Sequence, residues 1–133
     1  MNSAVISVGS NIDPEGNIKK ARRLLSREQR LLSVSTLVRT SPVGLKDQPD
    51  FLNGAFLIET ALGAEGLRAY LKDVEQRLGR KRTREPNAPR TIDLDLVVFN
   101  GVIIDDDYFR YEFVRRAVDE LAPGLKPSHP RGE

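Results

Sequence analysis

The sequence predicts an α+β domain: a four-stranded antiparallel sheet with two helices on one face, plus a further helix near the C-terminal end. Three observations carry this expectation. The segments Ala4–Val8, Leu31–Arg39, Asn53–Thr60 and Thr91–Phe99 have the apolar or alternating pattern of strands. Two intervening segments, from Asp13 to about Ser26 and from Ala64 to Leu78, place apolar residues at helical spacing. The resulting order, β-α-β-β-α-β, is that of the split-βαβ, ferredoxin-like arrangement.

Each element has its own signals. Ala4–Val8 alternates short and apolar residues and runs into Gly9-Ser10-Asn11, as a buried strand entering a turn does. Asp13 suits an N-cap, Pro14 the first helical position, and Glu15 the positive helix end. Ile18, Ala21, Leu24 and Leu25 then form one apolar stripe. In Leu31–Arg39, alternation puts Leu32, Val34, Thr36 and Val38 on one face of a single strand. Ser41–Asp50 contains Pro42, Gly44 and Pro49, which marks a loop of about ten residues, a length often tied to function.

Asn53–Thr60 is the next strand, and Leu67, Leu71, Val74 and Leu78 form the stripe of the second helix, which Gly79 ends. Thr91–Phe99 turns Ile92, Leu94 and Leu96 to one side and Asp93 and Asp95 to the other. Asn100-Gly101 is a turn signal, and a last helix over Tyr111–Leu121 is stopped by Pro123-Gly124. Helices on one face leave the opposite sheet face for a ligand.

Composition narrows the chemistry. The 133 residues suit a single domain, 1–133, with a core that needs neither disulfide nor metal support. There is no cysteine and only one histidine, His129 in the tail, which excludes thiolate nucleophiles, Cys-type zinc sites and histidine clusters. The net charge of +2, despite a pI of 9.1, argues against a nucleic-acid partner, which would call for a basic face. No apolar run approaches a membrane span and the N-terminal residues lack the pattern of a signal peptide, so a cytoplasmic protein without a membrane partner is expected.

The segment Arg80–Asp95 concentrates the chemistry. Arg80, Lys81, Arg82, Arg84 and Arg90 precede a strand that carries Asp93 and Asp95. Guanidinium groups grip phosphate oxygens with fixed geometry. Carboxylates at i and i+2 of a strand project from one face, where one or two Mg²⁺ ions could bridge them to phosphates. Cations for phosphates beside carboxylates for a metal suit an enzyme handling a nucleoside triphosphate, and the same pattern suits a solvated basic loop entering an edge strand. No G-x-x-x-x-G-K-[ST] loop is present.

Three segments together resemble the 6-hydroxymethyl-7,8-dihydropterin pyrophosphokinase family. They are VGSN (Val8–Asn11), RTSPVGLKDQPDFLN (Arg39–Asn53) and EQRLGRKR…APRTIDLDLVVF (Glu75–Phe99), with a weaker echo from Phe113 to Leu125. The resemblance implies a ferredoxin-like fold and transfer of the β,γ-pyrophosphoryl unit of ATP to a reduced pterin, releasing AMP. It implies two Mg²⁺ ions on Asp93 and Asp95, phosphate-binding and catalytic roles for Arg80, Arg82 and Arg90, and nucleotide-side places for Glu75 and Leu96. The pterin pocket maps to Thr40, Ser41, Val43, Phe51 and Asn53, with Phe113 as a second aromatic. A flat heterocycle suits an aromatic ring on each face, and its amide-like edge suits Asn53, which both donates and accepts. Phe51 and Phe113 would equally serve as plain core residues.

The chain also departs from the family pattern. Only IIDDDYFRYEF joins the D-L-D strand to Phe113, so the usual longer excursion and its Pro-His pair are missing. Tyr111 stands where an arginine is expected, with Arg110 beside it, and Pro86 and Asn87 replace an arginine and, in some members, an aromatic. Asp105, Asp106 and Asp107 would add negative charge near the phosphates if that turn faces the site. The rival reading is an impaired or non-catalytic ferredoxin-like module that binds nucleotide or pterin. RNA binding is disfavoured, because aspartates rather than aromatics occupy the polar face of the Thr91–Phe99 strand.

Overall fold

In the computed structural model, residues 1–42, 47–80 and 91–127 are described. The chain order is β1 (Asn2–Ser10), α1 (Pro14–Glu28), β2 (Arg30–Val34), β3 (Val38–Thr40), β4 (Phe51–Thr60), α2 (Ala64–Arg77), β5 (Asp93–Phe99), β6 (Val102–Ile103), α3 (Asp107–Arg110), α4 (Glu112–Leu121) and β7 (Lys126–Pro127). The strands form one sheet in the order β2-β4-β1-β5-β6-β7, with β3 also paired to β4. Every pairing is antiparallel except β6 with β7.

The α+β class and the antiparallel sheet agree with the sequence reading; the four-strand outline does not. The expected strand over Leu31–Arg39 breaks into β2 and β3. At the break, the buried Ser35 hydroxyl accepts the Ala55 N–H at 2.8 Å and donates to the Thr36 carbonyl at 3.0 Å. The Thr36 N–H turns away from the sheet to the Glu120 carboxylate on α4, at 2.9 Å. A register shift between Leu31 and Ser33 leaves Leu32 exposed, so the expected single face does not form. At the other edge, Asn100 and Gly101 adopt positive φ (51° and 81°), and the chain doubles back into β6.

Two apolar layers hold the sheet. On one face, Ile18, Ala21 and Leu25 of α1 and Leu67, Leu71 and Val74 of α2 pack on Ile6, Phe56, Ile58 and Leu94. Full burial of each large aliphatic side chain stabilises the fold by roughly 1.5–3 kcal/mol. On the other face, Val114, Ala117 and Val118 of α4 cover Val5, Ala55, Val97 and Val98. A bulge makes the second layer possible: Val5 pairs with Val98 but Ile6 with Leu96, so Val97 is the extra residue. Both valines thereby face α4, and Phe99 returns to the α1/α2 side.

Helix α1 begins after Asp13 as expected, but not through a side-chain cap. Asp13 is left-handed (φ 40°) and makes no cap hydrogen bond. Its carbonyl accepts the Asn17 N–H at 2.9 Å, and its carboxylate lies over Gly16, where a Cβ would collide with it.

Candidate active site

Helix α4 covers only part of its sheet face. Beside it lies a cavity of about 350 Å³, lined by β1, β3, β4 and β5 together with the segment that carries α3 and enters α4. The pairing explains how the polar residues gather. Asp93 lies opposite Gly9 and Asp95 opposite Ser7, while Gly9 also faces Asn53 across β4. The aliphatic residues of these strands, Ile6, Val8, Leu94 and Leu96, belong to the core under α1 and α2.

Most expected site residues meet here. Thr40, Ser41, Phe51, Asn53, Arg80, Asp93, Asp95 and Phe113 all line the cavity. Asn53 is buried, and its Nδ2 donates to the Thr40 hydroxyl oxygen at 2.7 Å. That bond sets the amide so that Oδ1 lies over Gly9, where a Cβ would come within 2.9 Å of it. Gly9 is required there by close approach. Phe113 stacks on Tyr111 with ring centroids 5.5 Å apart and planes at 30°, making a two-ring wall.

The carboxylates are unequally placed. Asp93 Oδ1 accepts from Arg80 Nη1 at 2.8 Å, and the same nitrogen donates to Glu75 Oε2 at 2.7 Å. Glu75 Oε2 also accepts the Leu94 N–H at 2.7 Å, so Glu75 is a buried bracket between α2, β5 and Arg80. Burial raises the pKa of Glu75, opposed by the Leu94 hydrogen bond and the Arg80 charge. Burial, reinforced by the charges of Asp93, Asp105, Glu75 and Asp107, pushes Asp95 up to about 8. A carboxyl so placed gains most from a bound cation.

Two expected residues stand elsewhere. Glu75 does not line the cavity; it acts on it through Arg80. Leu96 is buried in the core on the α1/α2 side, opposite the two aspartates, so its side chain faces away from the cavity. Val43, Arg82 and Arg90 lie outside the described residues.

The cavity also contains Ser7 and Gly9, which the sequence reading gave no site role, and Asp107, Arg110 and Tyr111, which it noted only as departures near the phosphates. Period-2 alternation already put Ser7 and Gly9 opposite the aliphatics of β1, a signal that gains meaning once β5 is paired to it. The Gly9-Ser10-Asn11 turn braces the surroundings. The buried Ser10 hydroxyl is 2.6 Å from the Thr91 carbonyl and 3.1 Å from that of Ile12. Asn11 Nδ2 donates to Gln48 Oε1 at 2.7 Å and to the Pro49 carbonyl at 3.1 Å.

The short connection after β6 is an ordered turn. Asp105 Oδ1 accepts the Asp107 N–H at 2.9 Å and starts α3, a single turn that leads through Tyr111 into α4. Of the three aspartates, only Asp107 lines the cavity; burial and the charge of Asp105 raise its pKa.

Among the described residues, no group of three or more His, Asp or Glu is placed to hold a metal ion. Two carboxylates do suit Mg²⁺, which commonly takes one or two protein oxygens and completes its shell with water and phosphate.

Paired carboxylates, a bracketed arginine and an aromatic wall beside a fixed amide thus meet in one cavity. Comparison with known proteins shows the family. The family model for 7,8-dihydro-6-hydroxymethylpterin-pyrophosphokinase (HPPK) matches residues 5–123. The chain is 42% identical over 110 residues to the 2-amino-4-hydroxy-6-hydroxymethyldihydropteridine pyrophosphokinase of Bacillus subtilis, covering 80% of this chain and 65% of that one. It is 40% identical over 111 residues to the protein of the same name from Campylobacter jejuni, covering 79% and 68%. It is also 36% identical over 133 residues to the folic acid synthesis protein fol1 of Schizosaccharomyces pombe, covering 92% of this chain and 18% of that much longer protein. The chain belongs to the HPPK family.

Proposed function

We propose that this chain transfers the β,γ-pyrophosphoryl unit of ATP to the hydroxymethyl group of 6-hydroxymethyl-7,8-dihydropterin, acting in the cytoplasm in folate synthesis. The observation that carries this reading is that Asp93 and Asp95 share one cavity with Thr40, Ser41, Phe51, Asn53 and Phe113. The family match and the relatives' names support it. The four longer strand regions with α1 and α2 form the ferredoxin-like unit of this reading, extended at one edge by β6 and β7.

The pterin oxygen attacks the β-phosphorus, its proton passes to solvent, and the bond between the α- and β-phosphates breaks to release AMP. Little covalent work falls to the protein. Holding two substrates in line is worth up to roughly 7–11 kcal/mol of the barrier in favourable cases. Asn53 addresses the polar edge of the pterin with an amide fixed by Thr40, Ser41 and Val43 complete that edge, and Phe51 and Phe113 take the ring faces. Arg80, Arg82 and Arg90 hold phosphate oxygens. Asp93 and Asp95 would hold up to two Mg²⁺ ions, whose charge would stabilise the phosphate oxygens in the transition state.

The test is a product assay with ATP, Mg²⁺ and 6-hydroxymethyl-7,8-dihydropterin, run beside Asp95→Ala. Pterin-dependent AMP from the parent, lost in the variant, is the expected result. ADP in place of AMP would mean ordinary phosphoryl transfer, and no turnover by a folded parent would sink the reading.

A further inference from the structure

Tyr111 is the single residue between α3 and α4, and helix capping does not explain its presence there. It occupies the N-cap position of α4, where Ser, Thr, Asn or Asp is favoured, yet it makes no side-chain cap hydrogen bond. A local rule broken in this way marks a functional or a strained position. The backbone is not strained, being ordinary extended chain (φ −121°, ψ 121°). It is also pinned on both sides. The Tyr111 N–H donates to the Asp107 carbonyl at 3.0 Å, and its carbonyl accepts the Val114 and Arg115 N–H groups at 3.2 and 3.1 Å. The side chain thus leaves from a fixed point. Side chains two positions apart along a helix do not face one another. The extended backbone at Tyr111 removes that restriction, and its ring stacks on that of Phe113, with centroids 5.5 Å apart and planes at 30°. Both rings line the cavity and rest against the apolar layer under α4. The same cavity holds the Asn53 amide, fixed by its bond to Thr40.

We propose that Tyr111 is a positioning residue for the pterin, acting through Phe113: its ring holds the Phe113 ring at the inclination on which the heterocycle stacks. The assignment rests on the reading of the cavity as the ATP and pterin site. A tyrosine at a helix junction is ordinarily a packing residue, bracing one helix against the next. This one meets the first turn of α4 through the very ring proposed to take a face of the substrate. A lone Phe113 side chain would lose rotamer freedom when the pterin arrives. The stack imposes that order beforehand, so the cost is not met at binding. The contact is ring to ring, which makes the aromatic face of Tyr111, and not its hydroxyl, the working part. The role also gives the short α3 turn a purpose, because it ends in the one extended residue that lets two nearby rings meet.

The experiment measures binding of 6-hydroxymethyl-7,8-dihydropterin to the full chain by calorimetry, with α,β-methylene-ATP and Mg²⁺ at saturation. The variants are Tyr111→Leu, Tyr111→Phe, Phe113→Leu and the double variant Tyr111→Leu/Phe113→Leu, with binding of the ATP analogue alone measured alongside. A second ringless variant, Tyr111→Asn, supplies a favoured N-cap and guards against loss of the fold. Tyr111→Leu and Tyr111→Asn should weaken pterin binding roughly 2- to 10-fold, the worth of one aromatic pair. Tyr111→Phe should keep most of the affinity, and analogue affinity should stay at the parent value throughout. The double variant should lose no more pterin affinity than Phe113→Leu does, because one residue acts through the other. Parent-like pterin affinity in the ringless variants would overturn the assignment. So would an equal loss of analogue affinity, or losses that add in the double variant. The two readings separate. A parent that makes AMP beside unaffected ringless variants rejects Tyr111 alone. A parent that binds pterin but makes no AMP, beside ringless variants that bind pterin more weakly, rejects the reaction and keeps the assignment. A parent that binds no pterin rejects both.

Discussion

Arg80 and Asp93 form a 2.8 Å ion pair within the lining of the cavity, so one of the two carboxylates proposed for the metal already carries a protein cation. With metal on Asp93 as proposed, the Arg80 guanidinium would be released from this pair and free to pass to phosphate. Arg80→Ala should therefore bind Mg²⁺ more tightly than the parent in the absence of nucleotide. It should also turn over more slowly, by roughly 10²- to 10³-fold if Arg80 stabilises transition-state charge. Metal titration of the nucleotide-free protein, set beside steady-state rates, checks both halves.

Glu75 is a structural bracket with a catalytic consequence. Glu75→Ala strips the acceptor from the buried Leu94 N–H and frees Arg80, and should cost about 1–3 kcal/mol of stability. Glu75→Gln keeps an acceptor for Leu94 but loses the charge that holds Arg80. It should fold nearly as well as the parent while losing turnover. Urea unfolding with parallel kinetics separates the two effects.

Asp95 makes the metal-free protein less stable as pH rises from the acid range to about 8. Its folded pKa, about 8, lies above the ordinary aspartate value of 3.8, so the native state holds this proton more tightly than the unfolded chain. The associated stability is complete below the ordinary value and is lost as pH rises through about 8. In EDTA, the melting temperature should fall between pH 5 and pH 8.5 (roughly the span between the two pKa values). Asp95→Asn should flatten that part of the profile. A profile unchanged by the substitution would remove Asp95 as its source.

Gly9 sets the position of the pterin-side amide. A methyl group at Gly9 would come within 2.9 Å of Asn53 Oδ1 and push the amide off its bond to Thr40. Gly9→Ala should raise the KM for the pterin roughly 10-fold, in line with the loss of one or two buried hydrogen bonds. The KM for ATP should change little, which a two-substrate kinetic matrix would reveal.

Ser10 ties the turn after β1 to the start of the Thr91 segment. Ser10→Ala removes the 2.6 Å bond to the Thr91 carbonyl and should lower stability by about 1 kcal/mol. Amide hydrogen exchange should quicken at Thr91 and Ile92 while the α1/α2 core stays protected. Uniform loss of protection across the sheet would argue against a local role.

Residues whose pattern is local were legible in the sequence. Helices α1, α2 and α4, β1, and the two faces of β5 follow from spacing alone, because periods of 3.6 and 2 need no partner to be read. Asp93 and Asp95 were placed on one face in that way. The split between β2 and β3 was hidden, since it depends on Ser35 bonding to Ala55, twenty residues away. The bulge at Val97 was hidden among consecutive valines that suit either face. Arg110 and Tyr111 reach the cavity only because α3 turns the chain there, and a four-residue helix entered through the Asp105 turn leaves almost no periodic trace. The bracket role of Glu75 was invisible because it acts on Arg80 rather than on the cavity itself.

The extra residue at Val97 divides β5 into two halves that pair with β1 in different registers. Asp93 and Asp95 are held by the first half, against Gly9 and Ser7, whereas the β6 hairpin and everything after it hang from the second. Changes of length beyond Phe99 are thus insulated from the carboxylates, because slack in the hairpin is taken up before it reaches them. A lineage could trim or rebuild the chain between β6 and α4 without turning Asp93 and Asp95 toward the wrong side of the sheet.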